Sequence, residues 1–146
     1  MTSRLILILA ALAITGIEAH AQEQRRVTIS IPDRKLSLYE GDQVVKTWDV
    51  AVGKPSTPSP RGTATIVSRI KNPTWYGPGG KVVGPGSGNP VGTRWIGLSI
   101  KGYGIHGTNE PASIGNAASH GCIRMRNRDV EELFAMIDTG TPVELE

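Results

Sequence analysis

Three side chains in the 146-residue sequence can do covalent chemistry together: the single cysteine, Cys122, and two histidines near it in sequence, His106 and His120. A thiol becomes a useful nucleophile when a base or a positive field draws off its proton, and imidazole does this most readily near neutral pH. The groups sit in two stretches, Ile105-His106-Gly107-Thr108 and Ser119-His120-Gly121-Cys122-Ile123-Arg124-Met125. Gly121 permits close backbone approach, so N–H groups from Gly121 to Ile123 can grip a carbonyl oxygen as the thiol attacks it. In an extended segment Arg124 shares a face with Cys122, where its field favours the thiolate or attracts a substrate carboxylate. A surface salt bridge is the plainer role for Arg124, and a small buried hydrophobe the plainer role for Cys122.

Both histidines are candidates for the general base. His120 is two residues from Cys122, and the separation of fourteen in sequence from His106 to His120 suffices to leave a strand, cross a loop and return beside it. Cys122, His106 and His120 would also make a three-ligand zinc site with an open position. The chain has no Cys-x-x-Cys or His-x-x-x-His pair, and His-Gly-Cys crowds two ligands, so no metal and no cofactor are expected.

Strands must position these groups. Val27 to Ile31 alternates apolar and polar, Leu36 to Tyr39 continues the alternation after a Pro32-Asp33-Arg34 turn, and Glu40-Gly41-Asp42 predicts a hairpin returning along Gln43 to Val52. Further strands are expected over Thr63–Ser68, Arg94–Ile100 and Thr141–Leu145, and an extended segment over Cys122–Arg126 with Ile123 and Met125 toward the core. Ten of the sixteen positions from Gly77 to Gly92 are Gly or Pro, which predicts a long loop bordering a cleft. Pro111 to Ala118 has weak helical character. Asn127 reads as an N-cap, and Val130, Leu133, Phe134 and Ile137 fall on one face of an amphipathic helix stopped by Gly140 and Pro142.

The chain has room for one domain, and 18 Gly with 10 Pro suit a turn-rich β fold better than a helical bundle. A formal charge of +3 is compatible with a polyanionic surround such as a cell wall, while no Lys/Arg run points to nucleic acid, and no nucleic-acid partner is expected. Residues 1–21 read as a signal peptide: Arg4 is the basic start, Leu5 to Ile17 the apolar stretch, and Ala19-His20-Ala21 the cleavage site. The apolar stretch is shorter than the roughly 20 residues of a spanning helix, so no stable membrane span is expected after cleavage; a retained anchor is the alternative. Residues 22–146 then form the domain, exported to the periplasm or cell envelope. A lone thiol in an oxidising compartment has no partner for a structural disulfide, which favours a chemical use.

The two histidine-bearing stretches resemble the signature of the L,D-transpeptidase catalytic domain, the YkuD-like family of bacterial cell-wall enzymes. The resemblance extends to Val27–Glu40, to Gly53 with Thr57-Pro58 and Gly62, and to Asn89-Pro90 through Leu98. It implies a mainly β, sandwich-like fold of mixed sheets with one or two short helices. It implies Cys122 as acylated nucleophile, His106 as base held by the Gly107 carbonyl, His120 as a supporting histidine, and backbone donors at Gly121 and Cys122. Arg124, Tyr103 and Ser119 are the expected substrate contacts. The implied partners are peptidoglycan stem peptides as donor and acceptor: the L,D bond of a tetrapeptide stem is cleaved, D-Ala leaves, and the acyl group passes to an amine without a metal. The resemblance leaves the acceptor and the oligomeric state undefined. Two departures stand out: Arg124 replaces an Asn found in some members, and Ser59-Pro60 lengthens a loop. The rival functions are an L,D-carboxypeptidase, with water as acceptor, and a non-catalytic wall-binding domain.

Overall fold

The computed structural model describes residues 24–146, so the expected signal peptide lies outside the described residues. The chain runs through β1 (Arg25–Ser30), β2 (Lys35–Glu40), β3 (Gln43–Asp49), β4 (Val52–Gly53), β5 (Gly62–Lys71), β6 (Trp75–Tyr76), β7 (Val82–Val83), β8 (Arg94–Leu98), β9 (Gly104–His106), β10 (Ala117–Ser119), β11 (Ile123–Arg124), α1 (Asn127–Met136) and β12 (Pro142–Leu145). Eight strands form one mixed sheet in the order β11-β9-β8-β5-β12-β1-β2-β3, and β4 with β10 and β6 with β7 make two small pairs. The mainly β, mixed-sheet architecture, with one α-helix among the described residues, agrees with the expectation from sequence.

The long strand β5 serves two halves of the sheet. Its first residues, Gly62 to Thr65, pair with β12, and Ile66 to Lys71 pair with β8, with a register shift between Ile66 and Ser68. Such a shift bends the strand and increases its twist, so the two halves curl toward each other over a shared core. The alternation seen in sequence is what fills that core: Val27, Ile29, Leu36 and Leu38 are fully buried, with Ile66, Val143 and Leu145 beside them. Each such side chain contributes about 1.5–3 kcal/mol on burial.

Helix α1 closes one side, against β8 and β9. Val130, Leu133, Phe134 and the adjoining Ile137 are all buried, as the spacing requires. The expected N-cap is displaced by one position. Arg126 is the N-cap residue, and Asn127 is the first helical residue, which frees its amide for a different task. The segment with weak helical character resolves into a 3-10 turn, Pro111–Ser113, followed by β10.

The Gly/Pro-rich stretch from 77 to 92 contains strand β7, paired with β6, and a buried staple. Asn89 is fully buried, and its Nδ2 donates to the carbonyls of Pro73, Val83 and Gly84 at 2.8, 3.2 and 3.2 Å. One amide thus satisfies backbone groups that a loop lacking regular pairing would otherwise leave open.

Candidate active site

Strands β9 and β11 lie side by side in parallel, with Ile105 opposite Ile123 and His106 opposite Arg124. On its other edge β9 pairs with β8, where Trp95 stands opposite His106. Their rings stack at 5.7 Å between centroids and 16° between planes. Ile123 and Met125 point into the core, so Cys122 and Arg124 turn the other way. Both line a cleft of about 620 Å³ with His106, His120, Trp75, Tyr76 and Trp95. The chain leaves β9, crosses a loop and returns beside it, which brings together the three groups singled out by chemistry.

His106 is 6% exposed, and its Nδ1 lies 2.5 Å from the Gly107 carbonyl oxygen. A carbonyl only accepts, so Nδ1 carries the proton and Nε2 presents a lone pair. Burial, opposed by the Gly107 hydrogen bond and aided by the Arg124 charge, lowers the imidazole pKa to about 4. The ring is therefore neutral at pH 7, the form that accepts a proton. Burial raises the pKa of Cys122, while the Gly104 backbone and Arg124 work against that rise. The thiol Sγ lies 3.8 Å from the Gly102 carbonyl oxygen. A protonated thiol beside a neutral imidazole is a pair in which proton transfer accompanies attack, unlike a preformed thiolate–imidazolium pair.

The loop bearing Cys122 is held by two buried hydroxyls. Ser119 Oγ accepts from the Gly121 N–H at 3.0 Å and donates to the Cys122 carbonyl at 2.6 Å. Ser59 Oγ accepts from the Gly53 N–H at 2.9 Å and donates to the Gly121 carbonyl at 2.7 Å. Thr57 adds a hydroxyl bond to the Ser119 carbonyl at 2.9 Å. Gly121 sits at φ +122°, and a Cβ there would fall 2.7 Å from Tyr103 Cε1. No other residue suits that position.

The remaining expected site residues fall as follows. The Gly121 N–H, expected as an oxyanion donor, is already bonded to Ser119, whereas the Cys122 N–H has no hydrogen-bond partner among the described residues. Ser119 borders the cleft but is 2% exposed, and its hydroxyl bonds the Gly121 N–H and the Cys122 carbonyl. Tyr103 backs Gly121 and does not line the cleft. The Gly107 carbonyl meets His106 Nδ1. His120 is exposed at the cleft.

Reading the sequence also missed residues. Asn127 Oδ1 accepts from the N–H groups of Thr108 at 3.0 Å and Thr93 at 3.3 Å, and its Nδ2 donates to the Thr108 carbonyl at 3.1 Å. It thereby anchors the chain next to Gly107. Ser59, read as part of a loop insertion, is a buried clamp. Its neighbours Gly53 and Thr57 were the available signal. Among the described residues no group of three or more His, Cys, Asp or Glu side chains is placed to hold a metal ion, and no helix is long and apolar enough to cross a membrane.

The curled mixed sheet thus brings the single cysteine and a carbonyl-anchored histidine to one cleft. The sequence profile of the L,D-transpeptidase catalytic domain (YkuD) matches residues 24–145, and the chain belongs to that family. It is 44% identical over 135 residues to the putative L,D-transpeptidase YkuD of Bacillus licheniformis, covering 92% of this chain and 73% of that protein. Among solved structures, the catalytic domain of the Enterococcus faecium L,D-transpeptidase aligns with a TM-score of 0.68 at 27% identity, over 86% of this chain and 99% of that one. The Ldtfm–avibactam carbamoyl enzyme aligns with a TM-score of 0.71 at 26% identity, over 85% of this chain. This chain spans 49% of that longer one.

Proposed function

We propose that the chain is an exported peptidoglycan L,D-transpeptidase that works through a thioester on Cys122. The observation that carries the reading is geometric: His106, its Nδ1 bonded to the Gly107 carbonyl, lines the same cleft as Cys122. In the acylation half, His106 Nε2 takes the thiol proton as Sγ attacks the carbonyl of the L,D bond in a tetrapeptide stem. The oxygen that gains charge is met by the Cys122 N–H. The tetrahedral adduct collapses as His106 returns the proton to the departing D-Ala nitrogen, leaving the thioester.

In the second half an acceptor amine attacks the thioester and gives its proton to His106. Collapse forms the new amide and restores the thiol with that proton. His120, exposed at the cleft, serves as the second, supporting histidine, and Arg124 attracts a substrate carboxylate. The signal-like residues 1–21 support export to the cell envelope, where stem peptides serve as donor and acceptor.

Product analysis on purified muropeptides tests this reading. With a tetrapeptide donor and an amine-bearing acceptor, the account expects a cross-linked or exchanged product with release of D-Ala. Free tripeptide stem as the only product would make the chain a carboxypeptidase. No change in the muropeptides would leave a wall-binding domain.

A further inference from the structure

The cleft carries one fixed charge. Among the described residues its lining includes the Arg124 guanidinium and no Asp or Glu side chain, and the neutral His106 adds no second charge. The counter-charge comes from the segment after β9. Glu110 Oε2 lies 3.1 Å from Arg124 Nη1.

The two ends of this pair are held very differently. Arg124 sits in a strand bonded on both edges: it pairs with β9, and its N–H and C=O exchange hydrogen bonds with Ala51 at 3.0 and 2.8 Å. Its side chain is 16% exposed, against 65% for Glu110. The Glu110 backbone is fixed, since its N–H donates to Thr108 Oγ1 and its carbonyl accepts from Ser113. The Glu110 carboxylate, by contrast, has Arg124 as its one hydrogen-bond partner among the described residues.

A guanidinium has five N–H donors and grips a carboxylate best with two in parallel. The contact with Glu110 uses one. A largely solvated, single-pronged ion pair is weak, whereas a carboxylate brought into the cleft meets the remaining donors away from water. Along an extended segment two residues span about 7 Å, so a carboxylate on either residue flanking the bond attacked by Cys122 is within reach of Arg124.

We propose that Glu110 is an exchangeable counter-ion: it holds the place on Arg124 that a substrate carboxylate beside the scissile bond takes over. Glu110 is a positioning residue that restrains Arg124 until that carboxylate displaces it. The identity of the ligand rests on the proposed function; the exchange itself needs no catalysis.

The test measures binding to the Cys122→Ala chain, which cannot turn over. Three ligands are compared: a tetrapeptide stem with free carboxylates, the same stem with its terminal carboxylate amidated, and the stem with the diamino-acid carboxylate amidated. Adding Glu110→Gln is expected to tighten the free acid about two- to fivefold. One of the two amidated ligands should show no tightening, and that ligand identifies the carboxylate recognised. Arg124→Gln should abolish the gain. Equal tightening for all three ligands, no tightening of the free acid, or no binding of the free acid in either background would each overturn the exchange. Thioester formation by the unsubstituted chain is read separately by mass, so the proposed function and this inference can fail independently.

Discussion

Arg124 and His106 are register partners on parallel strands, which sets a permanent cation beside the imidazole. Burial is the larger cause of the low imidazole pKa, and Arg124 adds to it. The acid limb of the activity profile should therefore fall near pH 4, not near the 6.5 of a free imidazole. Arg124→Gln should move that limb upward while leaving it below 6.5, because burial persists. A profile of acylation rate against pH in both proteins checks this.

Cys122 should titrate late. Its pKa is raised above the usual thiol value by burial, so alkylation by iodoacetamide should keep increasing with pH beyond 9, with no plateau between about pH 6 and 8. A plateau in that range would indicate a preformed thiolate and a different division of the proton between Cys122 and His106.

The same imidazole makes stability depend on pH. Its folded pKa of about 4 lies below the unfolded 6.5, so between those values the unfolded state binds more protons. Stability is then fully present above pH 6.5 and declines as pH falls toward 4, by up to about 1.4 kcal/mol per pH unit. His106→Gln should remove that contribution. Urea unfolding at pH 7 and pH 4.5, with and without the substitution, measures the difference.

Strands and helix were legible because their signals are local. Alternation in Val27–Ile31 and Leu36–Tyr39 and the spacing of Val130, Leu133, Phe134 and Ile137 need only a dry face to satisfy them. The thiol and both histidines were legible because their chemistry is rare. The clamps were not. Ser59 meets Gly121, and Asn127 meets Thr93 and Thr108, across separations that local pattern does not encode. A polar side chain becomes a backbone partner only once the fold has buried unpaired N–H and C=O groups beside it. For the same reason the bond from the Gly121 N–H to Ser119 Oγ was not legible in the sequence.

Ser59→Ala should destabilise the fold by about 1–3 kcal/mol, because it leaves the buried Gly53 N–H and Gly121 carbonyl unpaired. Thermal or denaturant unfolding measures the loss. A cost near zero would mean that the hydroxyl is not a clamp.

Asn127→Ala should act on His106 at a distance. Without the amide, the Thr108 N–H and carbonyl lose their partner and the neighbouring Gly107 carbonyl is no longer held against the ring. We expect kcat/KM to fall about ten- to hundredfold with the fold retained. Gly107→Ala should be worse for stability, since its Cβ would fall 2.1 Å from Asn127 Oδ1. Acylation kinetics and unfolding of the two variants separate these effects.

The most direct test of the account is the intact mass of the chain after incubation with a tetrapeptide stem or a carbapenem. The account predicts an adduct on Cys122 that is absent from Cys122→Ala and that forms far more slowly in His106→Ala. A folded chain that gains no mass at Cys122 from either reagent would contradict it.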